Sequence, residues 1–217
     1  MQTLSEENYL KTIYNLSKQG DDKVSAKSIA DALTNNPASV VDMLKKLTDK
    51  RLIQYDKTKG AKLTEKGLKT ALLIVRKHRL WEVFLQEKLG YTWDEVHEIA
   101  EQLEHIHYGD LADRLEKFLG FPEYDPHGDP IPKSNGQLPM ASRVMLFEID
   151  LNKSCQVVGV KDTSSAFLQY LQQLHVGIGT KIKVVEKIAY DESLTIIIGK
   201  DTRATVSKKF AQNVLVA

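Results

Sequence analysis

The chain has 217 residues, 42% of them hydrophobic, and a formal net charge of only +1. This length predicts two or three small domains, and the near-neutral charge excludes a basic field spread over the whole protein. The single cysteine, Cys155, excludes an internal disulfide framework. We expect a cytoplasmic protein without a membrane segment, because the start is acidic and no apolar run approaches the roughly 20 residues that span a bilayer.

The first 66 residues show the pattern of a winged helix-turn-helix. Apolar spacing and capping residues predict three helices and then two strands, at residues 5–17, 25–33, 37–51, 52–55 and 61–63. A Gly-Asp-Asp turn at 20–22 separates the first two helices, and Asn36 caps a third helix that Pro37 opens. Three helices followed by a hairpin are typical of winged helix-turn-helix domains, so residues 1–66 are predicted to bind DNA.

The third helix of this segment would enter the major groove by its N-terminal end. Its outward residues there are short and can hydrogen-bond base edges, and Ala38 can contact a thymine methyl. From Pro37 to Lys62 there are seven basic residues against three acidic ones, a local charge of +4. The alternative is a helical core module with lysines in solvent. The predicted DNA contacts are Ser25, Lys27, Asn35, Asn36, Pro37, Ala38, Ser39, Asp42, Lys45, Lys46, Lys57, Lys59 and Lys62.

Residues 93–107 predict a helix with an unusual polar face. His97, Glu101, Glu104 and His105 would lie within an arc of roughly 100° on it. Two carboxylates crowded together repel each other unless a positive group lies between them. A divalent cation is the simplest such group, since imidazole nitrogen and carboxylate oxygen suit manganese, ferrous iron or zinc. The alternative is an ordinary polar face in contact with solvent.

Residues 67–141 are predicted to form a second, helical domain. A long helix beginning near residue 64 places His78 and Glu82 one turn apart, which makes a possible two-ligand pair. The apolar residues here exceed what one short helical segment can bury, which indicates a homodimer interface. Packing within the same chain is the alternative.

A proline-rich loop at residues 121–132 follows a short helix that contains Leu111 and Leu115. The loop contains four prolines and no periodic apolar pattern, which predicts a rigid connection rather than a helix or strand. Asp125 and His127 are two residues apart within it, so both could reach one metal ion. The loop belongs to the second predicted domain.

The last segment, residues 142–217, is predicted to be a small β domain. β-branched runs bounded by turns predict five short strands, and a helix at 164–174 interrupts them. Five short strands in about 75 residues favour a small, partly open barrel. The chain as a whole is therefore predicted to be an α+β protein.

The sequence resembles the diphtheria toxin repressor family of iron- and manganese-dependent transcriptional regulators, in its long form with a C-terminal FeoA-type, SH3-like domain. The resemblance covers nearly the whole chain. It rests on five segments, which are Asn8-Tyr9-Leu10-Lys11-Thr12-Ile13-Tyr14, Pro37-Ala38-Ser39-Val40, Arg76-Lys77-His78-Arg79-Leu80-Trp81-Glu82, Val96-His97 through Glu104-His105, and Pro126-His127-Gly128 to Pro132. A combination of His78, Glu82, His97 and the Glu104-His105 pair downstream of a winged helix is specific to this family.

The resemblance implies a homodimer that represses metal-uptake genes by binding palindromic double-stranded operator DNA when loaded with Fe²⁺ or Mn²⁺, for which Zn²⁺ can substitute in vitro. It implies two metal sites per subunit. The primary site would use Asn8, Glu101, Glu104 and His105, and the ancillary site His78, Glu82, His97, Asp125, His127 and Asp162. Asn8 stands where the family usually has methionine or aspartate, and Glu101 where the iron branch often has cysteine. The harder oxygen donors favour manganese or ferrous iron.

Two other functions are weighed against this one. An enzyme is disfavoured, because a zinc hydrolase motif beginning at His97-Glu98 would need histidine at position 101, which is glutamate. A di-iron bundle would need two Glu-x-x-His motifs, and only Glu104 to His107 fits. The second alternative is a metal-independent winged-helix regulator that senses a small organic ligand.

Overall fold

The computed structural model describes residues 2–18, 23–140 and 142–217. The predicted turn at residues 20–22 lies outside the described residues. The chain divides into two compact units. The first contains Met1–His78, Glu101–Arg114 and Pro132–Gln137, and the second contains Arg79–Ala100, Leu115–Ile131 and Leu138–Ala217. Over the part of the chain that is described, no helix combines the length and apolar character needed to cross a membrane.

The first unit begins with the predicted winged helix-turn-helix. Its elements are α1 (Leu4–Ser17), α2 (Ala26–Leu33), α3 (Pro37–Asp49), β1 (Ile53–Asp56) and β2 (Gly60–Leu63). The side chains of Thr3, Ser25 and Asn36 accept backbone N–H bonds at the starts of the three helices. The two strands pair antiparallel as a hairpin.

Apolar side chains from all three helices form the core of this segment. Leu10, Ile13, Ile29, Leu44 and Leu47 are completely buried. Each such burial stabilises the fold by about 1.5–3 kcal/mol. The apolar positions predicted from helical periodicity are therefore the ones that form the core. The N-terminal end of α3 is left exposed.

Glu6 links α1 to α3 through two lysines, and this link makes stability depend on pH. Its buried carboxylate accepts hydrogen bonds from Lys50 at 2.7 Å and pairs with Lys46 at 2.9 Å. Burial by itself raises the pKa of Glu6, but the bonds from Lys50 and Lys46 outweigh burial and lower that pKa from 4.5 to about 2. A carboxylate with a lowered pKa stabilises the fold above its unfolded pKa and loses this contribution as the carboxylate is protonated.

We therefore expect the free energy of unfolding to fall by about 1 kcal/mol as pH decreases from 4.5 toward 2, the lysines being half exposed and screened by solvent. Urea unfolding followed by circular dichroism across this range measures the change. Glu6→Gln should unfold with a flatter acid profile. Identical profiles for the two proteins would contradict the assignment.

Three further helices follow the wing, namely α4 (Glu65–Leu89), α5 (Val96–Leu103) and α6 (Leu111–Phe118). The predicted helix at 93–107 is too long at both ends. Thr92 bonds the Glu95 carboxylate with its N–H and hydroxyl group in a turn before α5, and Glu104 and His105 lie in a turn after it. The prediction of one helical face with four metal-ligand candidates is therefore wrong.

The C-terminal part of the second unit is an antiparallel sheet of six strands, where the sequence pattern predicts five and the family resemblance implies an SH3-like domain. Its elements are β3 (Val144–Met145), β4 (Ser154–Val160), α7 (Ser165–Gln173), β5 (Lys181–Lys187), β6 (Leu194–Ile198), β7 (Thr202–Val206), α8 (Lys208–Asn213) and β8 (Val214–Val216), with strand order β3-β8-β4-β5-β6-β7. The prediction missed α8 and β8. Leu171, Val184, Ile196, Phe210 and Val214 contribute to its core.

Candidate metal centres and DNA-binding surface

A largely buried polar cluster in the first unit contains Glu101, Glu104 and His105, three of the four residues predicted for the primary site. Glu104 is fully buried, and its Oε2 atom lies 2.6 Å from the Lys11 Nζ atom and 2.7 Å from the His78 Nδ1 atom. Glu101 Oε1 accepts a second hydrogen bond from Lys11, at 2.5 Å. Because Lys11 lies on α1 and His78 on α4, the cluster joins three separate chain segments.

Two oxygens of the residues predicted for the primary site are buried without a hydrogen bond. They are Asn8 Oδ1 and Glu104 Oε1, and neither has a hydrogen-bond partner among the described residues. A buried acceptor without a donor costs about 1–3 kcal/mol. Both atoms are oxygen donors of the kind that Mn²⁺ and Fe²⁺ accept, so their lack of partners fits a cation site.

His105 presents a third donor beside these oxygens. Its Nδ1 atom lies 2.7 Å from Glu7 Oε2, which engages that nitrogen and sets the orientation of the ring. Its Nε2 atom is 3.7 Å from Glu104 Oε1. Metal-ligating histidines usually bond a carboxylate through the nitrogen that does not face the metal. Glu7 and His105 form this arrangement, and His107 Nε2 bonds the other Glu7 oxygen at 2.9 Å.

A second cluster lies in the second unit. Glu82, Asp125 and His127 are buried, and they offer ligand atoms that all lie within 4.8 Å of one another. His97, half exposed, has its Nδ1 atom 3.3 Å from Glu82 Oε1. The geometry thus brings together four of the six residues predicted for the ancillary site.

The loop around Asp125 is held by hydrogen bonds. Asp125 Oδ1 accepts the backbone N–H groups of His127 and Asp129, at 2.8 and 2.9 Å. Arg79 Nε lies 3.3 Å from the other carboxylate oxygen, and the Arg79 guanidinium also donates to the Asp129 carboxylate. Because these contacts fix the backbone between residues 125 and 129, the Asp125 and His127 side chains are positioned without a helix or strand.

Charges in the second cluster interact strongly. Burial raises the pKa of Asp125 to about 7, and the negative charge of Glu82 adds to this rise. Burial lowers the pKa of His127, but the Glu82 carboxylate outweighs burial, so this pKa lies above its usual value. Like-charged carboxylates that share a small site behave in this way when no cation separates them.

The remaining two predicted ancillary residues have other partners. His78 lies in the first unit, where its Nδ1 atom is close to Glu104 and Lys11. Asp162 Oδ1 accepts the backbone N–H of Ser164 at 2.9 Å, in the turn before α7. Their role as ancillary ligands stays a prediction.

Sequence reasoning missed Glu7, Lys11 and Arg79, which contact the predicted ligands directly. Glu7 and Lys11 are one helical turn apart and flank Asn8, so they share its side of α1. Their spacing from Asn8 was a usable signal. Arg79 carries no such signal, because its partners are 46 and 50 positions away.

The predicted DNA-contacting residues are all exposed. Asn36 and Pro37 form the start of α3, and Lys57 and Lys59 lie in the hairpin turn. Lys46 is already paired with Glu6. The local surface thus combines an exposed helix N-terminus with a basic hairpin, which is the arrangement that winged helices use to contact a groove and its phosphates.

Comparison with known proteins gives matches along most of the chain. Family models match the iron dependent repressor N-terminal DNA binding domain over residues 1–61, the metal binding and dimerisation domain over 64–133, and the FeoA domain over 144–217. The iron-dependent repressor IdeR of Mycobacterium tuberculosis is 36% identical over 126 residues, which are 58% of this chain and 54% of that protein. The match thus spans about half the length of the mycobacterial relatives.

Two further relatives match a larger share of their own length. The transcriptional regulator MntR of Oceanobacillus iheyensis is 36% identical over 122 residues, 56% of this chain and 81% of that protein. The solved structure of a manganese-dependent transcriptional repressor in complex with manganese has a TM-score of 0.88 and 32% identity. That alignment covers 97% of this chain and 98% of the other.

Proposed function

We propose that this chain, which belongs to the iron-dependent repressor family, is a DNA-binding transcriptional repressor activated by Mn²⁺ or Fe²⁺. Of the relatives named above, IdeR is an iron-dependent repressor and the solved structure is that of a manganese-dependent transcriptional repressor. One observation on this chain supports the metal dependence above all. The Asn8 Oδ1 and Glu104 Oε1 atoms are buried and have no hydrogen-bond partner among the described residues.

The primary site would be held by Asn8, Glu104 and His105, with Glu101 as the fourth predicted ligand. A bound Fe²⁺ or Mn²⁺ would supply two positive charges and accept oxygen and nitrogen donors. Asn8 belongs to α1, whereas Glu104 and His105 follow α5. An ion bound by these residues would therefore connect the DNA-binding segment to the segment that matches the metal binding and dimerisation domain, and would fix the position of α1.

The ancillary site would be held by Glu82, His97, Asp125 and His127, with His78 and Asp162 as further predicted ligands. The supporting observation is that Glu82, Asp125 and His127 are buried with ligand atoms within 4.8 Å of one another, and burial together with the Glu82 charge raises the pKa of Asp125. A divalent ion would separate these two carboxylates. The family resemblance supplies the expectation of two ions per subunit.

The partners that we propose are a second copy of the chain and double-stranded operator DNA. Phe118 and Phe121 are 66% and 63% exposed, and both lie in the part matched by the dimerisation domain. Large exposed aromatic side chains often mark interfaces. A twofold dimer would present two α3 helices to the half-sites of a palindrome.

Glu7→Gln should weaken binding of Mn²⁺ at the primary site about 10–100-fold, the usual cost of losing a carboxylate that orients a ligating histidine. The amide can bond His105 through either its oxygen or its nitrogen, so it no longer enforces one ring tautomer. Competition with a fluorescent chelator measures the affinity. Glu98→Gln, a neutralised exposed carboxylate on α5, should bind as the wild type does. An unchanged affinity of Glu7→Gln would contradict the orienting role.

Binding to DNA tests the proposed function directly. Operator fragments can be selected from a random duplex library with the Mn²⁺-loaded protein, and their affinity then measured by fluorescence anisotropy with Mn²⁺, Fe²⁺ or a chelator. We expect the metal ion to tighten binding by about 5–150-fold, and DNA to tighten metal binding by the same factor. Equal affinity in metal and in chelator would overturn the proposal and favour a metal-independent regulator.

A further inference from the structure

Lys11 lies in an unusual position for a lysine. Its side chain is only 9% exposed, although lysine is seldom buried without a charged partner. The ammonium group contacts Glu101 Oε1 at 2.5 Å, Glu104 Oε2 at 2.6 Å and His78 Nδ1 at 3.1 Å. Two of its N–H groups donate to carboxylate oxygens, whereas the His78 Nδ1 atom, which also lies 2.7 Å from Glu104 Oε2, either accepts from Lys11 or donates to Glu104, but not both.

Both of these carboxylate oxygens belong to residues proposed as ligands of the primary metal ion. Glu101 and Glu104 bring two negative charges together, and Lys11 contacts both. The ammonium group thus occupies the electrostatic position that a cation between the two carboxylates would take. A surface salt bridge would not need such burial, and it would contribute little.

The two oxygens of the Glu104 carboxylate differ in their partners. Its Oε2 atom is engaged by Lys11 and His78, whereas its Oε1 atom is the buried oxygen without a hydrogen-bond partner among the described residues. A divalent ion at Oε1 would lie on the same carboxylate as the Lys11 ammonium group. Like charges at such short range repel strongly where water is excluded.

We propose that Lys11 is an internal counter-ion that stabilises the metal-free protein and competes with the activating ion, and so sets the metal concentration at which the primary site loads. The inference rests on the proposed function, since it requires that the site bind a divalent ion. The inference concerns the affinity of this chain for a divalent ion, and it does not depend on whether the cell uses Mn²⁺ or Fe²⁺.

A purely structural role for Lys11 makes a different prediction. If the lysine only joined α1 to its neighbours, its removal would lower stability equally with and without metal. A competing counter-ion stabilises only the metal-free state, because a bound divalent ion neutralises the carboxylates in its place. Removing it should therefore weaken the metal-free protein and strengthen metal binding.

The test compares wild type, Lys11→Met and Lys11→Gln with Lys88→Met, which removes an exposed lysine near the end of α4. Lys11→Gln keeps hydrogen-bonding capacity and serves if the methionine variant does not fold. Two quantities are measured, namely the dissociation constant for Mn²⁺ by chelator competition and the melting temperature in chelator and in saturating Mn²⁺.

We expect both Lys11 variants to bind Mn²⁺ at least about tenfold more tightly than wild type, to melt at a lower temperature in chelator, and to regain the wild-type melting temperature in Mn²⁺. Lys88→Met should match the wild type throughout. Equal or weaker Mn²⁺ binding by the Lys11 variants, or an equal loss of stability in both conditions, would overturn the inference. If the wild type itself binds no Mn²⁺ or Fe²⁺, the proposed function fails first.

Discussion

Replacing Glu104 with glutamine removes the response of operator binding to Mn²⁺, so that affinities in metal and in chelator become equal. The reason is that Glu104 supplies the buried Oε1 atom of the primary cluster, and an amide donates no negative charge to a cation. The variant should lose the entire effect of the metal ion on operator affinity, which is about 5–150-fold. Fluorescence anisotropy with a labelled operator measures it.

The fold should survive this change, because glutamine has the shape of glutamate and its oxygen can still accept the Lys11 hydrogen bond. Circular dichroism in chelator checks this point. Glu98→Gln is the matched control, since it neutralises an exposed carboxylate on the same helix from which Glu104 follows. A Glu104→Gln protein that still binds its operator more tightly in Mn²⁺ would refute the role of Glu104.

Gly128→Ala should lower the free energy of unfolding of the second unit by about 3 kcal/mol or more. Gly128 has a φ of +84°, and an added Cβ atom would lie 2.1 Å from the Val158 carbonyl oxygen and 2.5 Å from the Gly159 Cα atom. These are backbone atoms around strand β4, which cannot rotate away. The loop must therefore move, and it carries Asp125 and His127 with it.

Gly120→Ala separates this clash from the cost of the backbone conformation. Gly120 has a similar φ of +76°, but no atom of the described residues lies within 4 Å of its would-be Cβ. Only the left-handed conformation is then penalised, at about 1–2 kcal/mol. Urea unfolding of both variants gives the two free energies. Equal losses would show that the close approach to β4 contributes nothing.

The winged helix could be predicted because local rules and tertiary packing agree there. Asn36 and Pro37 give α3 a start that depends only on neighbouring residues, and Leu44 and Leu47 fall on the side that the core needs. In such segments neighbouring residues determine where helices and strands begin and end, and long-range contacts change little. The bounds of the two wing strands, β1 and β2, were accordingly predicted to within one residue.

The helix at 93–107 could not be delimited in this way. Helical periodicity continues past Leu103, but Glu104 and His105 take partners on α1 and α4 that are far away in sequence. These long-range contacts, rather than local propensity, are associated with the end of α5. The helical spacing of Lys11 from Asn8 indicated its place near the site, but its partners, carboxylates 90 and 93 positions away, could not be predicted from local patterns.

For the second cluster, the sequence predicted which residues take part but not how they are arranged. The proline-rich pattern indicated a rigid loop, and the two-residue spacing of Asp125 and His127 indicated that both could reach one metal ion. What sequence could not supply is the Arg79 contact that fixes the loop. The role of Asp162 stays a prediction; its Oδ1 atom accepts the Ser164 N–H group in the turn before α7.

Anomalous diffraction at the manganese edge, from crystals grown with Mn²⁺, tests the central claim most directly. We predict an anomalous peak in the primary cluster within bonding distance of Asn8 Oδ1, Glu104 Oε1 and His105 Nε2. A map without a peak there, with the three side chains hydrogen-bonded to water or to one another, would contradict the claim that these residues sense a metal ion.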